Sequence, residues 1–84
     1  MTDLEFDVLD ELYFVISYKD LLSATELEES ALYGCLKSLL AKGWIKCFKG
    51  MDNEIISAEL DFESNYRAYS YLATKKGLLA HNGH

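Results

Sequence analysis

His81 and His84 stand three residues apart, the spacing of two metal ligands on neighbouring turns of a helix. A zinc site needs four ligands, and no carboxylate or thiol lies beside them to complete the set. The pair therefore reads as a solvated chain end, with no metal site. Glu28 and Glu29 are adjacent carboxylates, the residue type used for acid and base work. Neighbours on a helix point about 100° apart, so the two cannot converge on one substrate, and they suit the first turn of a helix instead. Cys35 and Cys47 sit in apolar surroundings without a Cys-x-x-Cys spacing and read as small buried thiols, which fits a reducing cytoplasm. The sequence offers no nucleophile with a base at useful spacing and no glycine-rich phosphate cradle. These absences point to a binding protein that is not an enzyme and needs no cofactor.

Two sets of residues suit binding. The cations Lys37, Lys46, Lys49 and Arg67 could hold phosphates, and Trp44, Phe48, Tyr69 and Tyr71 are the aromatic types that anchor protein interfaces. The chain carries a net charge of −6, unevenly spread. Residues 1–25 place Asp3, Glu5, Asp7, Asp10, Glu11 and Asp20 against Lys19 alone, whereas Lys37, Lys42, Lys46 and Lys49 fall close together. Any contact with nucleic acid must therefore be local. With 84 residues, half of them hydrophobic and 26% charged, the chain suits one small folded domain spanning 1–84. Its apolar runs are far shorter than the roughly 18 residues that cross a bilayer, and no leader pattern opens it. No membrane partner is expected, and the location expected is cytoplasmic.

The elements that must position these residues follow from periodicity. Thr2-x-x-Glu5 is a capping-box pattern, and Leu4, Val8, Leu12 and Val15 or Ile16 continue it as an amphipathic helix over 3–16 with an acidic outer face. Ser17 caps a short helix over 17–24, and a turn at 25–27 leads into a third helix over 28–42. Leu32, Cys35, Leu36, Leu39 and Leu40 form that helix's inner stripe, and Gly43 ends it. A strand follows over 44–48, with Ile45 and Cys47 on one face and Trp44, Lys46 and Phe48 on the other. A second strand spans 66–73, placing Arg67, Tyr69 and Tyr71 on one face. Residues 54–63 fit either a helix or a strand paired with 44–48, and Ile55-Ile56 after an Asp-Asn turn favours the strand. Thr74 caps a final helix from 75 to about 80.

The stretch DLLSATELEESALYGCLKSLLAKGWIKCF, with Leu21, Thr25, Leu27, Leu32, Leu36, Leu39, Gly43 and Ile45 at its hydrophobic and turn positions, resembles the winged helix-turn-helix family. YLATKKGLLAH resembles that family's return strand and following helix, leaving 50–65 as an enlarged wing. The resemblance implies an α+β, mainly helical fold, in which a three-helix core carries the helix-turn-helix at about 17–42. A β-hairpin wing at about 44–73 and a short C-terminal helix would complete it. It also implies a transcriptional-regulator-like domain that binds double-stranded DNA, with possible homodimerisation. Ser30, Tyr33 and Lys37 would then face bases, with Lys46, Lys49 and Arg67 holding phosphates. The acidic balance, Glu28 and Glu29 on the would-be recognition helix, and Glu26 in place of the family's turn glycine favour an alternative. In that reading the fold docks a protein partner through Trp44, Phe48, Tyr69 and Tyr71.

Overall fold

The computed structural model describes residues 1–83, Ser57 by its backbone alone. Among these residues five helices and a four-stranded antiparallel sheet form a small α+β domain, the class the sequence implies. The order is α1 (Asp3–Asp10), β1 (Ile16–Ser17), α2 (Tyr18–Thr25), α3 (Glu29–Ala41), β2 (Ile45–Lys49), β3 (Asn53–Glu54), α4 (Phe62–Asn65), β4 (Tyr69–Ala73) and α5 (Lys75–Asn82). A 3-10 turn spans Ser57–Glu59.

Thr2 and Glu5 cap α1 reciprocally, as the capping-box pattern requires. The helix expected to reach residue 16 stops at Asp10. Tyr13, Phe14, Val15 and Ile16 are aromatic and β-branched residues in succession, which lose rotamer freedom in a helix and favour extended backbone. Leu12 C=O instead accepts the Ala73 N–H at 2.9 Å, and Ile16 and Ser17 pair with Tyr71 and Ser70. The Ser17 hydroxyl accepts the Asp20 N–H and opens α2. Glu26 closes α2 in the left-handed region at φ 56°. On α3, Leu32, Leu36 and Leu39 are fully buried and Cys35 nearly so, the inner stripe read from the sequence. Gly43 ends the helix at φ +72°, where a side chain would be strained.

The sheet runs β1-β4-β2-β3. Opposed residues of an antiparallel pair share a face. Cys47 lies opposite Tyr71 and Ile45 opposite Ala73, so these four line the core with Tyr69, beneath Val8, Leu9, Leu12 and Leu21. Phe48 opposes Ser70 and Lys46 opposes Leu72 on the other face.

Two expectations fail in the wing. The strand favoured for 55–60 is not formed. β3 is two residues long, Ile55 N–H makes one further bond to Cys47 C=O at 2.9 Å, and the chain then leaves the sheet. The Asp61 carboxylate accepts the Ser64 N–H and starts α4, while Ile55, Leu60, Phe62 and Tyr66 fold back onto the core cluster. An Asp cap followed by Phe62 and Tyr66 at helical spacing outweighs the β preference of two isoleucines. For the same reason the strand expected from residue 66 begins at Tyr69, because Tyr66 caps the end of α4.

Candidate functional site

α3 and the segment that folds over it gather most of the expected contact residues. Glu29, Tyr33 and Lys37 recur at four-residue spacing and form one row of the helix. That row is bridged throughout. The Tyr33 hydroxyl donates to Glu63, whose other carboxylate oxygen is 3.0 Å from Lys37 Nζ. Arg67 Nε donates to Glu29 Oε1 at 2.9 Å, and the buried Tyr18 hydroxyl donates to the same oxygen at 3.1 Å. Each bond favours a charged carboxylate. Arg67 and then Tyr18 lower the Glu29 carboxyl, Tyr33 and Lys37 lower that of Glu63, and Lys37 and Arg67 are held more firmly protonated in return. Burial, with Glu29 adding to it, pushes the Tyr18 hydroxyl up to about 12.

Of the six residues expected at nucleic acid, Lys46 is also paired, with Glu54 at 3.1 Å across the hairpin. Ser30 and Lys49 are exposed, and Lys49 forms no ion pair among the described residues. The acids read as a handicap in bulk are thus set individually against the cations. That arrangement is not legible in the sequence, since Glu54, Glu63 and Arg67 belong to the wing, where the chain departs from the expected strands.

The aromatic patch expected from Trp44, Phe48, Tyr69 and Tyr71 is not one surface. Tyr71 is 0% and Tyr69 7% exposed, both on the core side of β4, while Phe48 is buried against the opposite face of the sheet. Trp44 is half-buried with Lys42 Nζ 4.8 Å from its ring centre. A strand running from residue 66 would set Arg67 beside Tyr69 and Tyr71 on one face. In the folded chain both tyrosines turn inward and use their hydroxyls on the covering segment. Tyr71 donates to Tyr66 C=O at 2.7 Å, and Tyr69 Oη lies 3.2 Å from the Asp61 N–H.

A different aromatic group forms instead. Tyr33 meets Tyr66 with ring centres 4.9 Å apart and Phe62 at 5.5 Å, Tyr18 meets Tyr66 edge-on, and the Arg67 guanidinium lies 4.9 Å from the Tyr66 ring. The signal for this group was the Asp61-x-x-Ser64 cap with Phe62 and Tyr66 four apart.

His81 is not solvated. Its ring stacks on Phe6 at 4.2 Å, Nδ1 is 2.9 Å from the Tyr13 hydroxyl, and Nε2 is 3.4 Å from Asp10. His84, the other half of the pair, lies outside the described residues. Among the described residues no three of His, Cys, Asp and Glu come together as a metal set. Burial pushes both thiols up, Cys47 to about 12, so neither is an activated nucleophile. No described helix is long and apolar enough to cross a membrane. Comparison with family models, with curated proteins and with solved structures finds no match.

Proposed function

We propose that this chain is a non-catalytic winged-helix module that binds a protein partner and does not bind DNA through α3. The helix order, the left-handed turn between α2 and α3, and a hairpin completed by a return strand support the winged-helix reading. One observation carries the choice of partner. The row of α3 that a DNA reader would present, Glu29, Tyr33 and Lys37, is tied to Glu63 and Arg67 of the wing. Entering a major groove would mean breaking those bonds and bringing Glu29 and Glu63 toward phosphates, on a chain already at −6.

A second reading keeps one observation in its favour. The Lys37–Glu63, Lys46–Glu54 and Arg67–Glu29 pairs all lie on substantially exposed side chains. Exposed pairs are screened by solvent and contribute little to stability, so phosphates could replace the carboxylates cheaply. Fluorescence anisotropy with random duplex DNA at low ionic strength separates the two. The protein-binding reading expects no binding by the native chain. Binding that weakens steeply with salt, and that Lys46→Glu abolishes, would establish the DNA reading instead.

A further inference from the structure

The far end of α5 carries an enclosed titratable group that the α3 surface and the wing do not use. The His81 side chain is 9% exposed and stacks on Phe6 of α1 with ring centres 4.2 Å apart. Its two nitrogens meet different partners. Nδ1 lies 2.9 Å from the Tyr13 hydroxyl, which donates its single proton to Asn82 Oδ1 at 2.9 Å. Tyr13 is therefore left to accept from the imidazole, and Nδ1 must carry a proton. Nε2 is buried, has no hydrogen-bond partner among the described residues, and faces the Asp10 carboxylate at 3.4 Å. A carboxylate only accepts, so a neutral ring protonated on Nδ1 sets two acceptors against each other. An imidazolium gives each nitrogen a proton and turns the Asp10 contact into a charged hydrogen bond.

The surroundings favour the same form. α1 ends at Asp10 with no basic residue in its last turn, and His81 lies in the last turn of α5. Two helix C-termini, each with partial negative charge, thus lie beside the ring. The titratable groups that face it among the described residues are Asp10 of α1 and Tyr13 of the segment that follows. Lys75 and Lys76 stand at the opposite end of α5. Burial penalises the charged ring, and the carboxylate and the helix ends oppose that penalty. We propose that His81 is a pH-operated latch: as imidazolium it holds the last turn of α5 on α1, and it loosens that turn on losing the Nε2 proton. Histidine changes charge between about pH 5 and about pH 8, so the latch closes at the acid end and opens at the alkaline end. Opening withdraws the ring from Phe6 and uncovers a surface beside Tyr13, already 41% exposed, and Phe14, 83% exposed. At the start of α5, Thr74 holds Trp44 and Gly43 through groups that do not titrate in this range, so that end stays docked.

The test uses the full chain labelled with ¹⁵N, at about pH 5.5 and about pH 8. Ring nitrogen spectra count the protons on His81, and hydrogen exchange gives the protection factors of the Ala80, His81 and Asn82 amides. Two ring protons are expected at the lower pH, and one, on Nδ1, at the higher. Protection of the three amides should fall about tenfold between the two, while that of Tyr71 holds. Asp10→Asn offers the bare Nε2 a carboxamide N–H and should abolish the fall. Asp7→Asn removes an equal charge one turn earlier on α1 and should leave the fall in place. A ring with one proton at both pH values, or with its remaining proton on Nε2 and α5 equally protected, would overturn the latch. So would a fall of the same size in Asp10→Asn, which would assign the pH dependence to other groups.

Discussion

The Tyr71 hydroxyl, on a side chain with no exposed surface, donates to the Tyr66 carbonyl at 2.7 Å. A strand at the centre of the sheet thereby fixes the end of α4, and α4 in turn lays Phe62, Glu63 and Tyr66 against α3. Burial, with nearby cysteine and tyrosines adding to it, pushes the Tyr71 hydroxyl far above its usual range, so it remains a donor at any working pH. The cover over α3 is thus anchored in the core, while the exposed ion pairs above it are the weaker attachment.

Tyr71→Phe tests that anchor. It leaves Tyr66 C=O without its donor and is expected to cost about 1 kcal/mol, a fall of roughly 4–8 °C in Tm for a domain of this size. Hydrogen exchange should quicken through 62–67 before it quickens in β2 or α3. A uniform loss across the sheet would show that Tyr71 supports the core and has no particular hold on the cover.

Glu5 makes a second core attachment, between α1 and α3. It is 3% exposed and takes hydrogen bonds from Lys42 Nζ at 2.6 Å, Ser38 Oγ at 3.0 Å, Thr2 N–H at 3.0 Å and the Thr2 hydroxyl at 3.1 Å. Burial alone would raise this carboxyl, but the bonds, that from Lys42 foremost, outweigh it and hold the pKa at about 2, against 4.5 unperturbed. A carboxyl lowered by folding stabilises fully above its unfolded value and loses that contribution as pH falls through the folded one. Unfolding free energy should therefore drop between pH 4.5 and 2, with on the order of 3 kcal/mol due to Glu5. In Glu5→Gln that part of the pH dependence should vanish. An unchanged acid profile in urea titrations would refute the assignment.

Much of this architecture is legible in the residues, and the parts that are not have a common cause. The Thr2–Glu5 box, the Ser17 cap, the leucine stripe of α3 and the left-handed Gly43 are local signals, and each forms as its pattern implies. Glu5 is legible only as a capping residue, because Lys42, the partner that accompanies its burial, is distant in sequence. Residues 54–67 carry two local signals that disagree, the isoleucine pair and the Asp61 cap, and tertiary packing of Phe62 and Tyr66 on α3 settles between them. That one reversal also moved the aromatic site. Once the chain turns back at Ile55, Arg67 sits over Glu29, and Tyr69 and Tyr71 are covered.

Gly77 is required by a close approach. Its backbone passes the Trp44 carbonyl so tightly that a β-carbon would lie 2.0 Å from the oxygen. Thr74 sets this crossing, since its N–H bonds Trp44 C=O and its hydroxyl bonds Gly43 C=O at 2.8 Å while accepting the Gly77 N–H at 3.1 Å. Gly77→Ala should force α5 off the hairpin and destabilise by about 1–3 kcal/mol, despite alanine's better helix propensity. The loss should appear in thermal unfolding, with the Tyr13 and His81 resonances shifting as α5 moves.

Glu26 makes the opposite case. It closes α2 through its N–H to Leu22 C=O at 3.1 Å, with φ 56° and ψ 22°. That conformation costs a residue with a β-carbon about 1 kcal/mol and costs glycine little. Glycine gives back part of the gain by its greater freedom in the unfolded chain, so Glu26→Gly should stabilise by about 0.5 kcal/mol. The turn sets the angle at which α3 leaves α2, and Tyr18 and Glu29 lie on either side of it, joined at 3.1 Å. A glycine that merely relieves strain should preserve that bond and leave the amides of Tyr33 and Lys37 unshifted. The denaturant midpoint should rise while the slope stays constant. A fall in midpoint would mean that the Glu26 side chain contributes more than its backbone strain removes.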